Sequence, residues 1–239
     1  MKLGLSTYSM QQELNAGAIQ VTDIPRFIAE HGGEHMEVVP IGFSLIDRPG
    51  LIDDIKAAAE DAGIELSNYA VGANFAVDGD AAYRRAIEET KAHVEAAHKL
   101  GVRRMRHDVA SRPPEEATIQ RFEEDLPRLV AACREIADFA AGFGITTSVE
   151  NHGFYVQASD RVQRLVSAVD RPNFRTTLDV GNFLCADENP LVAVRKNIGI
   201  ASMVHLKDFY VRPSYRNPGD GWFRTAGGNY LRGAIVGQG

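Results

Sequence analysis

Three side chains, far apart in the chain, are of the types and in the settings that could do chemistry together: Glu150, Asp179 and His205. Residues 145–149 (ITTSV) run into Glu150, Asn151 and His152, with Gly144 before them and Gly153 after. Residues 174–182 (FRTTLDVGN) put Asp179 at the end of a similar run, and residues 201–208 (ASMVHLKD) do so with His205. Runs of that kind read as buried strands ending in polar groups. Two carboxylates and an imidazole form a mixed oxygen and nitrogen donor set suited to Mn²⁺, Mg²⁺, Co²⁺ or Zn²⁺. A cation held there is a Lewis acid. If a hydroxy-carbonyl compound chelates it through two adjacent oxygens, loss of the C–H proton leaves an enediolate whose charge is stabilised. A single acidic residue after a strand is more often a helix cap or a turn residue. Three hard ligands on consecutive strands are what single out a site.

For the three to meet, their strands must lie in a parallel barrel, whose strand ends share one face. The rest of the chain alternates accordingly. Strands are predicted over residues 3–7, 36–40, 64–71 and 102–108 ahead of the three above. Helices are predicted over 23–31, over 51–62 ending at Gly63, and from an N-cap at Asp80 through Leu100 to Gly101. The longest helix runs from about Glu115 to Phe143, with Pro127 as a possible kink near its start, and two more cover 160–169 and 190–197. Seven strand–helix alternations predict a parallel sheet with helical crossovers, one unit short of a closed eightfold barrel. Residues 208–239, rich in Gly, Pro, Arg and aromatics, contain no clear eighth strand. An open sheet would expose two edges. The expectation is therefore that the last helix and strand lie beyond Gly239; closure by a partner chain or by the tail itself is the alternative. Without repeats or linkers, residues 1–239 read as one domain.

At 44% hydrophobic and 24% charged, 239 residues suffice for a sizeable core. The net charge of −6, with no basic cluster longer than Arg103–Arg104 and Arg106, argues against nucleic-acid binding. The two cysteines, Cys133 and Cys185, have no metal-type spacing and are expected to be packed small side chains in a reducing, cytoplasmic setting. No segment resembles a signal peptide or approaches the ~18 apolar residues of a membrane span.

The motifs SVEN around Glu150, LDVGN around Asp179 and VHLKD around His205, with HMEVVP carrying Glu37, resemble those of the xylose isomerase-like barrel superfamily. This sugar phosphate isomerase/epimerase group includes tagatose epimerases, hydroxypyruvate isomerase, inosose dehydratase and endonuclease IV. The resemblance implies a (β/α)₈ TIM barrel and a divalent metal held by Glu150, Asp179, His205 and a fourth carboxylate from an eighth strand. In the epimerases that fourth ligand is a Glu that faces the Glu150 position across the substrate carbon as its acid/base partner. GAIVGQG is similar to the Gly-x-Gly segment that precedes the last helix and strand, which puts the fourth ligand beyond Gly239. The implied activity is a metal-dependent isomerase or epimerase of a keto sugar, polyol or related small hydroxy-ketone, with Glu150 as ligand and general base. A lyase dehydrating an inosose-like or dehydroshikimate-like substrate is the rival on the same scaffold; a non-catalytic sugar-binding or assembly subunit is the rival outside enzymes. Asn182 stands where the family often has a metal-ligating His, which weakens the nuclease branch, although Asn can still hydrogen-bond a substrate hydroxyl. Arg212 falls one place from the epimerase arginine and is either a ligand of substrate oxygens or a surface residue.

Further candidates face a carbohydrate-like substrate from neighbouring strand ends. Glu37 orients a substrate hydroxyl or pairs with a buried base such as Arg106. His107 and Asp108 touch substrate, or His107 is a hydrogen-bonded structural residue. Lys207 and Asp208 polarise substrate or form a salt bridge. His152 is expected at most to support Glu150 from behind and not to contact substrate. His93 and His98 are expected to be solvated. Tyr210, Trp222 and Phe223 wall off a sugar ring, or pack on the rim or on a second subunit of a homo-oligomer.

Overall fold

All 239 residues are described by a computed structural model. Strands β1 (Gly4–Ser6), β2 (His35–Val38), β3 (Glu65–Val71), β4 (Arg104–His107), β5 (Thr146–Glu150), β6 (Phe174–Asp179) and β7 (Ala201–His205) pair in that order, every pair parallel. The sheet curls into an incomplete TIM barrel: seven parallel strands with β1 and β7 at its two edges and no eighth between them. Helices α1 (Gln11–Asn15), α2 (Ile24–Glu30), α3 (Gly50–Ala62), α4 (Asp80–Leu100), α5 (Ile119–Ala141), α6 (Ser159–Val169) and α7 (Pro190–Asn197) lie between the strands in sequence. They cover its outer face and bury one continuous apolar cluster of 40 residues, among them Met36, Tyr69, Met105, Val149 and Phe174 from the strands.

Local chemistry sets the boundaries. Gly63 and Gly101 take left-handed conformations (φ 68° and 84°) that end α3 and α4, where a side chain would be strained. The N-cap of α4 is Gly79 at φ 78° and not Asp80, whose carboxylate instead takes Arg128 Nη1 at 3.0 Å. Helix α5 starts later than Glu115, because Pro113 and Pro114 restrict the backbone to an extended residue and a short 3₁₀ turn. Thr118 then caps the helix, accepting from Arg121 N at 3.1 Å. The helix continues through Pro127. His93 is half-buried, with Nδ1 2.9 Å from the Tyr69 hydroxyl. Cys133 and Cys185 are buried and unbonded, as their spacing suggested.

The tail does form strands, contrary to expectation. β8 (Asp208–Arg212), β9 (Phe223–Arg224) and β10 (Tyr230–Ala234) make an antiparallel sheet in the order β8–β10–β9. It adds to neither edge of the barrel, so the tail does not close the gap. Phe209 and Leu231 pack with Cys185, and Ala226 N donates to Cys185 O at 2.9 Å, which docks the sheet on the loop after β6. Asp208, at the start of β8, accepts from Gly237 N and Gly239 N at 2.9 and 3.0 Å and so holds the Gly-x-Gly segment against the strand ends.

Candidate active site

Strand parity places the site. Side chains alternate between the barrel interior and the helix layer. Toward the C-terminal ends the interior positions include Ser6, Glu37, Arg106, Glu150, Asp179 and His205, with Asn68 from the middle of β3 beside Glu37. Lateral register aligns them: Ser6 is opposite Glu37, Glu37 opposite Asn68, and Asp179 opposite His205.

Glu150, Asp179 and His205 each present a ligand atom, and the three atoms lie within 4.8 Å of one another. Asp179 is the most rigidly held. Its Oδ1 accepts from Gly181 N (2.9 Å) and Asn182 N (3.0 Å), while the Asn151 amide clasps the Asp179 backbone at both N and O (2.8 Å each). Gly181 is required here by close approach. A Cβ there would lie 2.5 Å from the Lys207 carbonyl oxygen. Asp179 Oδ2 is buried and has no well-directed hydrogen bond, although Lys207 Nζ stands 3.0 Å away.

Glu150 uses its two oxygens differently. Oε2 takes Arg106 Nε and Nη2, both at 2.6 Å, and Oε1 accepts from Asn182 Nδ2 at 3.2 Å and faces His205 Nδ1 at 3.6 Å. His205 Nε2 lies 2.9 Å from Glu37 Oε2, which also accepts from Asn68 Nδ2 at 2.7 Å. A carboxylate only accepts, so Nε2 carries a proton and Nδ1 is the nitrogen turned to the centre.

The charges are strongly coupled. Burial opposes ionisation of Glu150, yet His205 and Arg106 hold its carboxyl far below the usual range. Burial likewise disfavours the imidazolium of His205, but Glu150 and Glu37 outweigh it and raise the ring to about 10. Burial raises Asp179, with Lys207 opposing.

Of the residues expected to bind substrate, Asn182 and Lys207 join this cluster, linked at 3.1 Å through Asn182 Oδ1. Glu37 joins it too, but its partners are His205 and Asn68 and not Arg106. His107 does not. It is the residue after Arg106 and therefore faces the helix layer, fully buried between Phe75 and Phe174 at ring separations of 5.9 and 6.1 Å. Burial pushes it down to about 4, so it is neutral at neutral pH. Arg212 also stays outside: it is exposed on β8, stacked over Trp222 at 5.6 Å. Phe223 packs edge-on against Phe209. His152 stands at the mouth, its Nδ1 3.5 Å from Asp108 Oδ1.

Asn68 is the member sequence reasoning missed, and Arg106 was foreseen only as a buried partner of Glu37, not of Glu150. The available signal was period two: in RRMRH, Arg104 and Arg106 share a face, and an arginine of that parity inside a buried strand needs an interior carboxylate.

No curated protein matches the sequence. Among solved structures, the probable 3-DHS dehydratase AsbF of Bacillus anthracis superposes with TM-score 0.74 at 18% identity, over 100% of this chain and 85% of that one. A D-psicose 3-epimerase crystallised with D-fructose gives 0.72 at 19%, over 91% and 78%. A xylose isomerase-like TIM barrel protein from Mycobacterium smegmatis, in complex with magnesium, gives 0.66 at 15%, over 91% and 73%. At these identities the likeness is one of fold. A family model described as xylose isomerase-like TIM barrel matches residues 25–232, and with the strand order and the motif positions already described, this chain belongs to that family.

Proposed function

We propose that the protein is a divalent-metal-dependent isomerase or epimerase of a keto sugar, polyol derivative or related small hydroxy-ketone. The observation that carries this reading is the meeting of Glu150, Asp179 and His205 within 4.8 Å at the C-terminal ends of β5, β6 and β7. The residues fit a metal. Two carboxylates and an imidazole form a hard donor set for Mn²⁺, Mg²⁺, Co²⁺ or Zn²⁺, and Asp179 Oδ2 is a buried oxygen that accepts no directed hydrogen bond and faces only the Lys207 ammonium at 3.0 Å. Glu150 would bind through Oε1, Asp179 through Oδ2 and His205 through Nδ1. The fourth carboxylate implied by the family resemblance has no counterpart in this group of three.

When bound, a divalent cation supplies charge stabilisation for the enediolate formed on loss of the C–H proton. The remaining work falls to the chain. Glu150, kept ionised by His205 and Arg106, is the carboxylate that would take the substrate proton. Asn182 and Lys207 offer N–H donors to substrate oxygens. Glu37 keeps His205 in one tautomer.

A lyase reading has its own support: His152 and Lys207 stand beside the site, and either could serve as the acid that protonates a departing β-hydroxyl. Burial is overcome at both by facing carboxylates, Asp108 and Asp179, which raise their proton affinity. The 3-DHS dehydratase among the structural neighbours is a protein of this kind. Incubating the Mn²⁺-loaded protein with a panel of ketoses and polyol ketones in D₂O separates the two. Deuterium entering carbon next to the carbonyl without loss of water supports the isomerase, loss of water supports the lyase, and neither reaction with any member would contradict both.

A further inference from the structure

Asp179 and Glu150 each face a cation of this chain's own, and the two cations are held differently. Arg106 is fixed. Besides Glu150, its Nη1 donates to Val71 O at 3.0 Å and lies 3.3 Å from Asp108 Oδ1, and its side chain is only 14% exposed. Lys207 has two polar partners, Asp179 Oδ2 at 3.0 Å and Asn182 Oδ1 at 3.1 Å, and its side chain is 37% exposed on a flexible stem. Its backbone runs so close to Gly181 that a Cβ there would lie 2.5 Å from the Lys207 carbonyl oxygen. The long, part-exposed side chain is the part of the residue able to take another position.

Both backbone N–H groups that reach the Asp179 carboxylate go to Oδ1. A metal must therefore use Oδ2, the oxygen Lys207 faces. Two cations on one buried oxygen repel strongly in a low-dielectric site. We propose that Lys207 is the stand-in cation of the metal-free site, and that a divalent ion entering on Asp179 Oδ2 displaces its ammonium into the mouth of the barrel. There it becomes a binding group for an anionic oxygen of the ligand. This rests on the metal reading of the preceding subsection. It orders binding, with metal first and oxyanionic ligand second, and it makes metal and the Lys207–Asp179 contact mutually exclusive, each costing the other the same factor.

Two readouts other than turnover test it. In the first, the metal-free full chain is acetylated with a small amine reagent with and without Mn²⁺, and labelling at each lysine is quantified by peptide mass spectrometry. Mn²⁺ should raise labelling of Lys207 several-fold and leave Lys91, bound to Glu88 and Glu135 away from the site, unchanged. In the second, Mn²⁺ is titrated into wild type and K207M. The variant should bind the ion at least about tenfold more tightly, and once loaded it should bind oxalate, a dicarboxylate that chelates through two oxygens, more weakly than loaded wild type. Unchanged Lys207 labelling, Mn²⁺ binding in K207M no tighter than in wild type, or equal oxalate binding would overturn the inference. Absence of Mn²⁺ binding in both proteins would overturn the metal reading and this inference with it. The labelling needs no variant, so a K207M that folds poorly without metal does not rescue the proposal.

Discussion

His205 gives one ring nitrogen to Glu37 and turns the other toward Glu150: Nε2 lies 2.9 Å from Glu37 Oε2, and Nδ1 lies 3.6 Å from Glu150 Oε1. A carboxylate behind a histidine fixes the tautomer and the ring plane before any ligand arrives. Substituting Glu37→Gln leaves the three facing groups intact but removes that charge. Mn²⁺ affinity should fall by about 10–100-fold, measured by titration of the folded variant. An unchanged affinity would show that Glu37 does not orient His205.

The same pair sets a pH dependence. In the metal-free protein His205 stays protonated at both nitrogens up to about 10. A ligand imidazole must be free at Nδ1, so metal binding releases a proton and strengthens as pH rises through neutrality. Mn²⁺ titrations at several pH values should show tighter binding toward pH 9. Because the folded value lies above the unfolded 6.5, the stability that His205 contributes without metal is present in full below pH 6.5 and is lost as pH rises toward about 10. Urea unfolding of metal-free wild type should lose stability across that window, and His205→Asn should lack this component.

Removing Arg106 leaves the buried Glu150 carboxylate without its strongest fixed partner. Arg106→Met should cost about 3–5 kcal/mol in urea unfolding, since breaking one side of a buried pair strands the other charge. It should also raise the proton affinity of Glu150, moving the acid limb of kcat/KM to higher pH. Arg106→Lys, which retains a charge but not the paired N–H groups, should fall between. An acid limb that does not move in either variant would separate Arg106 from the ionisation of Glu150.

His107 makes the opposite prediction. Its folded value, about 4, lies below the unfolded 6.5, so the unfolded chain binds more protons between these values and stability falls as pH drops from 6.5 toward 4. At about 1.4 kcal/mol per tenfold change in proton affinity, the loss is roughly 3 kcal/mol. His107→Phe should abolish that component and leave Mn²⁺ affinity unchanged. Weakened metal binding in this variant would return His107 to the site.

These contrasts show what a sequence can and cannot carry. Glu150, Asp179 and His205 were legible because each closes a short run of apolar, small or β-branched residues, and parallel strands bring such ends together whatever their separation in the chain. Which of Arg106 and His107 faces inward was not, because adjacent residues differ only in parity. The pairing of Arg106 with Ser148 on β5 decides it. The tail was missed for another reason. β8 and β10 lie on the rim, half-exposed through Tyr210, Val211 and Arg232, so they lack the continuous apolar run of the barrel strands. Gly219, Gly221 and Gly228, all at positive φ, make the sharp reversals that the chain needs there.

The proposed function requires above all that Glu150, Asp179 and His205 hold one divalent cation. Its most direct test is a Mn²⁺ titration of the metal-free full chain, followed by the unbound-ion EPR signal, for wild type and for Asp179→Asn. Wild type should take up one Mn²⁺ per chain, and Asp179→Asn, which keeps the shape of the side chain but not its charge, should lose most of that affinity. No uptake by wild type, or equal uptake by the variant, would contradict the account.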